Sequence, residues 1–289
     1  MLIPKQDKSF FNKKKSINLS GELIDFSSPV VMGILNVTPD SFYDGGKYLS
    51  EKNIVERAAE IMEEGGKIID IGAYSTRPGA KVISVEEELE RLIPAIKAIR
   101  AHFPHAHLSL DTFRSEVAKS IVDEFGPCII NDISGGTMDD KMFETVARLG
   151  VPYILMHIKG TPENMQKNPV YSDVVNDIIL FFSEQIQRLK LLGVNDVILD
   201  PGFGFGKLPI HNYELMNRLG SFKVFQLPLM VGVSRKALIW RLLEVSPEES
   251  LNGTTVLNTL ALLGGADILR VHDVKEAVEV CKIVSTLKR

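Results

Sequence analysis

Asp111, Asn131 and Asp200 each close a short apolar run, reading LSLD, IIND and VILD. Two carboxylates and an amide turned into one pocket form an acceptor-rich frame for a flat heterocycle bearing amino and ring N–H groups. A guanidine-like edge is what a carboxylate accepts in bidentate fashion. Asn36 closes the run MGILN and offers a neutral amide oxygen, hard enough to hold Mg2+ beside phosphate oxygens. The residues after it, TPDS and then DGG, have the composition of a long lid-like loop. In GAYSTRPGA, Arg77 presents a forked guanidinium to an anion, Thr76 adds a hydroxyl, and Pro78-Gly79 makes a turn.

Three further stretches carry chemistry. DPGFGFGK (200–207) has the glycine density of a phosphate loop but neither the dinucleotide nor the Walker spacing, so it marks no nucleotide site. Of its phenylalanines, Phe205 or Phe203 could wall an aromatic substrate. VGVSRK sets Ser234, Arg235 and Lys236 at a helix start, where the N-terminus attracts carboxylates and a serine hydroxyl adds a donor. RVHDV places Arg270 and His272 two apart on a strand, hence on one side. With a metal they would clamp an anion. Met156-His157 closes another run. Taken singly, each such residue is as well explained as a helix N-cap or strand-end turn; eight polar ends together point to a site.

Those ends need a frame to bring them together. Eight apolar runs, 31–37, 67–73, 107–112, 127–134, 152–157, 196–201, 228–234 and 267–273, are rich in Val, Ile and Leu without strict alternation. That is the pattern of parallel strands buried on both faces. Helical periodicity fills the gaps: Ile54, Ala58 and Ile61 before Gly65-Gly66, then Leu89, Leu92, Ile96 and Ile99 after a Ser84/Glu87 capping box. Ser246-Pro247 with Glu249 opens another helix, and Gly193 ends the one over 174–192. Eight such units in 289 residues predict a single α/β domain, a (β/α)8 TIM barrel over 29–289, with its active site at the C-terminal strand ends. Residues 1–28 read as an N-terminal extension, a hairpin covering the barrel bottom.

Composition narrows the function. A net charge of -4 argues against nucleic acid, while a local Lys/Arg cluster could still bind a small anion. No run is long and apolar enough for a membrane span, and no apolar stretch follows the N-terminal lysines as in a secretory leader. Cys128 and Cys281 read as reduced core residues, which suits the cytoplasm.

The motifs GILNVTPDSF, STRPGA, LSLDT, NDISGG, MHIKGTPENMQ, DPGFGFGK, GVSRK and RVHDV, in this order across about residues 30–275, resemble those of the dihydropteroate synthases, a family of pterin-binding enzymes. The resemblance implies condensation of 6-hydroxymethyl-7,8-dihydropterin diphosphate with 4-aminobenzoate, with release of diphosphate. It implies that Asn36 stands on the metal and diphosphate side with Mg2+ as cofactor, and that Arg77 lies in the second mobile loop. Asp111, Asn131, Asp200 and Lys236 match the pterin pocket, with Met156 packing on the ring. Thr76, Phe205 and Ser234 match the 4-aminobenzoate site, and Arg270 and His272 the anion site. Asp111, Lys236 and Arg77 would carry the catalytic roles. The resemblance also implies sulfonamide sensitivity and a homodimer formed through helices late in the barrel, where the apolar stretch 256–263 lies. Two positions depart from the family pattern: Tyr74 stands where Glu is usual, and Ile158-Lys159 where Met-Gln is usual. Two rivals remain. A methyltetrahydrofolate–corrinoid methyltransferase barrel would not need STRPGA or RVHDV. A non-catalytic pterin-binding homologue would lack Asn36, Arg77, Lys236 or Arg270.

Overall fold

A computed structural model describes residues 13–38, 51–74 and 83–287. Eight parallel strands form the centre: β3 (Val30–Asn36), β4 (Ile68–Gly72), β5 (His107–Asp111), β6 (Ile129–Asp132), β7 (Tyr153–Met156), β8 (Val197–Asp200), β9 (Met230–Val231) and β10 (Ile268–Val271). Their order is β8-β7-β6-β5-β4-β3-β10-β9. The ring closes where Leu199 bridges Leu229 in parallel register and its N–H donates to Pro228 O at 2.9 Å. Each strand falls within one of the eight apolar runs, except that β3 begins one residue before its run, at Val30. β9 is only two residues long: Pro228 has no N–H to give, and the Leu229 N–H is taken by the Asp267 carboxylate at 2.7 Å instead of a ladder partner.

Helices follow the strands. They are α1 (Glu51–Glu63), α2 (Val85–His102), α3 (Ser115–Phe125), α4 (Met142–Leu149), α5 (Val174–Leu191), α6 (Pro209–Asn217), α7 (Ala237–Leu243), α8 (Leu251–Gly264) and α9 (Val274–Leu287). Ser84 caps α2 by accepting the Glu87 N–H at 3.2 Å, but the Glu87 carboxylate turns to Arg91, so that box is half formed. The Ser246/Glu249 box is reciprocal, with bonds of 3.0 and 3.3 Å. It opens a 3₁₀ turn (Glu248–Ser250) that runs into α8. Gly193 follows the α5 C-cap at φ +83°, where a side chain would be strained.

Alternation sorts the strands into two cores. Val31, Leu35, Ile69, Ile71, Leu108, Leu110, Ile130, Leu155 and Leu199 face the helices. The inward set begins with an apolar floor of Met32, Ile68, Ile129, Ile154, Ile198, Met230 and Ile268. Against that floor packs a hairpin of β1 (Ser16–Leu19) and β2 (Glu22–Asp25), which contributes Ile17, Leu19, Ile24 and, just beyond it, Phe26. Lys13 pairs with Asp267 and Lys14 with Asp196, fastening the hairpin across the ring closure. Two residues further along the strands, still facing inward, the floor gives way to Asp70, Asn131, Asp200 and Arg270. The apolar seal thus lies at one end and the polar groups at the other.

Candidate functional site

Arg270 sits at the centre of the polar layer. Its Nε donates to Asp70 Oδ2 at 2.6 Å and its Nη2 to Asp111 Oδ2 at 2.7 Å. Asn131 Nδ2 lies 3.2 Å from both Asp70 oxygens, which leaves its carbonyl oxygen for a ligand. Asp70 is the residue that sequence reading missed. It stands mid-strand in the run KIIDIGA, buried at 1% exposure. A carboxylate there has to meet a cation or donors inside the barrel, and that was the available signal.

Asp111 closes β5 beside Gly72. A Cβ on Gly72 would lie 3.0 Å from the Asp111 Cβ, so the glycine makes room for the carboxylate. Asp111 caps no helix. The Ser115 N–H at the start of α3 goes to Asp139, at 2.7 Å, and the Arg114 N–H to Thr112. Burial is the main influence raising the Asp111 carboxyl to about 7; Arg270 opposes the rise and the Asp70 charge adds to it.

Asp200 closes β8 and accepts the Gly202 N–H at 2.8 Å. Burial raises its carboxyl, against the pull of Lys236. The loop after it folds back so tightly that a Cβ on Gly202, at φ +72°, would lie 2.0 Å from His157 O. Lys207 is buried beneath this loop, within 3.0 Å of His157 Nδ1 and bonded to the carbonyls of Gly202 and Phe205. On the other side Lys236 Nζ donates to Phe203 O at 2.6 Å and lies 4.6 Å from the Phe205 ring centre. Burial brings the Lys236 ammonium down to about 8, opposed by Asp200, while Arg270 pushes the same way as burial. Two lysines thus bracket the glycine-rich loop; sequence reading gave Lys207 no role. Phe203 belongs to the outer core. Phe205 packs instead on an apolar patch with Met156, Phe113, Ile133, Ile158 and Tyr74. Both departures from the family pattern fall here: Ile158 joins the patch, and the Tyr74 ring stacks edge-on to Phe113 at 5.1 Å. Lys159 turns to Val170 O and the Tyr171 ring.

Ser234 is buried, and its hydroxyl faces His272. α7 starts only at Ala237 and runs for seven residues, so Ser234 precedes the helix by three positions. Arg235 turns away and holds Asp273 through two bonds. Asn36 closes β3, half-buried, in register with Gly72. Thr76, Arg77 and Pro78-Gly79 lie outside the described residues, as do residues 39–50 of the first loop. Asp132 does not join the site; it accepts the Tyr153 hydroxyl and the N–H groups of Ser134 and Gly136. No cluster of three His, Cys, Asp or Glu side chains able to hold a metal occurs among the described residues.

A closed parallel barrel with buried charged groups gathered at the C-terminal ends of its strands is the architecture of a barrel enzyme. A family profile described as "Pterin binding enzyme" matches residues 32–272. Dihydropteroate synthase of Escherichia coli K12 is 47% identical over 266 residues, covering 91% of this chain and 93% of that protein. The Synechocystis dihydropteroate synthase is 43% identical, covering 90% of each. A crystal structure of the Yersinia pestis enzyme with a sulfonamide drug complex superposes with TM-score 0.88 at 42% identity, over 94% of this chain and 99% of that one. The Xanthomonas albilineans enzyme with 4-aminobenzoic acid does so with TM-score 0.87 at 36% identity, over 95% and 98%. The chain belongs to the pterin-binding enzyme family.

Proposed function

We propose that this chain condenses 6-hydroxymethyl-7,8-dihydropterin diphosphate with 4-aminobenzoate, giving 7,8-dihydropteroate and diphosphate. The observation that carries the reading is the convergence of Asp111, Asn131, Asp200 and Lys236 around Arg270 at one barrel mouth. The Asp111 and Asp200 carboxylates and the Asn131 carbonyl accept the N–H edge of the pterin, and Lys236 donates to its acceptors. Met156 and Phe205 supply apolar surface for the rings. Arg270 balances the charge of the departing diphosphate and His272 donates a hydrogen bond to it. The arylamine is already a nucleophile and needs no strong base. Diphosphate release measured with and without 4-aminobenzoate tests the reading: release that requires the amine supports it, and none with both substrates present overturns it.

Asn36 fits a metal that arrives with the substrate, because its amide is a hard but uncharged ligand and no group of His, Cys, Asp or Glu side chains among the described residues is arranged to hold a metal by itself. When bound, Mg2+ would neutralise diphosphate charge as a Lewis acid. Chelation with EDTA is expected to abolish turnover and added Mg2+ to restore it; full activity in metal-free buffer would remove the metal from the scheme.

A sulfonamide carries a sulfonyl group where 4-aminobenzoate carries its carboxylate, and a relative has been crystallised with such a drug. Sulfonamides are therefore expected to compete with 4-aminobenzoate here. Inhibition that excess 4-aminobenzoate leaves unrelieved would place the drug elsewhere. The enzyme is also read as a homodimer. Val256, Leu260 and Leu263 of α8 are exposed at helical spacing, at 51%, 46% and 38%, with Leu242, Leu243 and Ile283 exposed on α7 and α9. Light scattering is expected to give twice the 32.1 kDa chain mass; a monomer mass across micromolar concentrations refutes it. No described helix is long and apolar enough to cross a membrane, and both cysteines are free and buried. A cytoplasmic location is the reading these support.

A further inference from the structure

Among the described residues the hydroxyl of Ser234 has two partners, and both belong to His272. It lies 3.2 Å from the His272 backbone nitrogen and 3.1 Å from the ring Nδ1. The backbone nitrogen can only donate, so Oγ accepts there. Oγ carries a single hydrogen, and no other acceptor bonds it among the described residues. Ser234 is 4% exposed, so water does not offer one freely. If Nδ1 were protonated it would also donate to Oγ, and the hydroxyl hydrogen would be buried with nowhere to go. Buried polar hydrogens are rarely left so. If the hydroxyl donates to Nδ1, both Oγ and Nδ1 are satisfied and the ring proton stands on Nε2, the ring atom left open to a ligand.

We infer that Ser234 is a positioning residue that locks His272 as the Nε2–H tautomer, presenting a fixed neutral donor to an anionic oxygen of the diphosphate. The surrounding bonds hold the rest of the residue in place. Arg57 of α1 donates to the His272 carbonyl at 2.6 Å, and Arg235 grips the next residue, Asp273, through Nε and Nη2. Backbone N–H, backbone carbonyl and ring are therefore each fastened, and Nε2 is the ring atom without a bond among the described residues. Burial first, then the Arg270 and Arg235 charges, brings the imidazolium down to about 4, so the ring is neutral near pH 7. A donor fixed in direction before substrate arrives has no tautomer or rotamer to choose as charge develops on the leaving group. This differs from the sequence reading, in which Ser234 touched the 4-aminobenzoate carboxylate; here the hydroxyl is already committed.

The tautomer assignment rests on geometry alone, whereas the role of Nε2 rests on the proposed reaction. Protein labelled with 15N-histidine, with His272 assigned by its loss in His272→Gln, separates the two. In the wild-type protein, Nδ1 is expected to give the signal of an unprotonated ring nitrogen and Nε2 that of a protonated one. Inorganic diphosphate should move Nε2 and leave Nδ1 unprotonated. A protonated Nδ1 in the wild-type spectrum overturns the lock, whatever the activity. In kinetics, Ser234→Ala is expected to raise KM for the pterin diphosphate about tenfold, the scale of one lost hydrogen bond, with KM for 4-aminobenzoate unchanged, and Ser234→Thr to keep the pterin diphosphate KM near the wild-type value. The opposite split, with 4-aminobenzoate affected and the pterin diphosphate not, returns Ser234 to the amine pocket and refutes the inference. Should Ser234→Ala not fold, the wild-type spectrum still decides. Absence of the reaction in wild-type protein with an unprotonated Nδ1 would fail the functional reading and leave the lock standing.

Discussion

Arg270→Met is expected to lower both stability and turnover, and to do so more severely at pH 8 than at pH 5. Arg270 is the shared partner of two carboxylates, Asp70 with a side chain at 0% exposure and Asp111 at 18%. Removing one member of a buried ion cluster leaves the others desolvated and unpaired, which costs about 3–5 kcal/mol. For a chain of this size that corresponds to a melting temperature lower by on the order of 10 °C. The sign of the pH effect follows from Asp111. Its carboxyl already stands at about 7, above the ordinary value of 3.8. A group raised in the folded state contributes stability below its unfolded value, and that contribution fades as pH climbs through the folded one. Arg270 is what opposes the rise, so the variant carries the carboxyl higher still. Its deficit relative to the wild type therefore grows from about pH 7 upward, where the wild-type carboxyl has ionised and the variant's has not. The double variant Asp70→Asn/Arg270→Met removes a charge of each sign and should recover most of the lost stability. It should recover little turnover, because the clamp for the departing diphosphate is still missing. Denaturant melts at the two pH values with turnover for both variants make the check; a single variant as stable and active as the wild type would show that Arg270 holds nothing together.

How much of this was legible in the sequence depends on the distance over which residues meet. The strands were legible because burial on both faces writes itself locally, as runs of Val, Ile and Leu, and the turn residues between them bound each run. That the ends of those runs share a mouth follows from parallel topology alone, so Asp111, Asn131, Asp200 and Arg270 could be gathered without coordinates. The partner of each could not. Arg270 and Asp70 are 200 residues apart and meet only because β10 pairs with β3 and β3 with β4. Read singly, Arg270 was an anion ligand and Asp70 part of an apolar run. The bonds of Ser234 were hidden for a related reason. Its type and place before a helix suited a carboxylate, but the Oγ direction depends on β10 carrying His272 alongside. Lys207 hid in plain view, since a lysine closing a glycine-rich loop looks solvent-facing until the loop is seen folded over it. The short β9 depended on Asp267 reaching the Leu229 N–H from beside β10, a contact across 38 residues.

Asp111→Asn is expected to reduce turnover by ~10²-fold or more, the scale of losing one preorganised electrostatic partner, with pterin affinity falling much less. The case begins with what Asp111 does not do. The Ser115 N–H that opens α3 goes to Asp139 and the Arg114 N–H just before it to Thr112, so Asp111 caps neither. Its bonded partner is Arg270, a guanidinium on which the Asp70 and Asp200 carboxyls also act. Once ionised, Asp111 adds a negative charge to this group. If diphosphate leaves before the amine attacks, the pterin ring and its methylene carry positive charge that the bound ester lacks. A negative site then favours the transition state over the ground state, which is the condition for raising the rate. Asparagine keeps the shape and an acceptor oxygen, and the Asp70–Arg270 bond survives, so the loss should fall on kcat. The titration provides a second readout. With the carboxyl at about 7, kcat/KM for the pterin diphosphate should rise through that pH as the group ionises, since this ratio reports the free enzyme. In Asp111→Asn that inflection should vanish. Asp111→Ala, which also opens space beside Gly72, should lose turnover to a similar degree and some stability besides. Turnover, pterin affinity and melting temperature of the two variants, with pH profiles for the wild type and Asp111→Asn, decide the matter. Near-wild-type turnover in Asp111→Asn with the pH inflection intact would remove the charge of Asp111 from the mechanism.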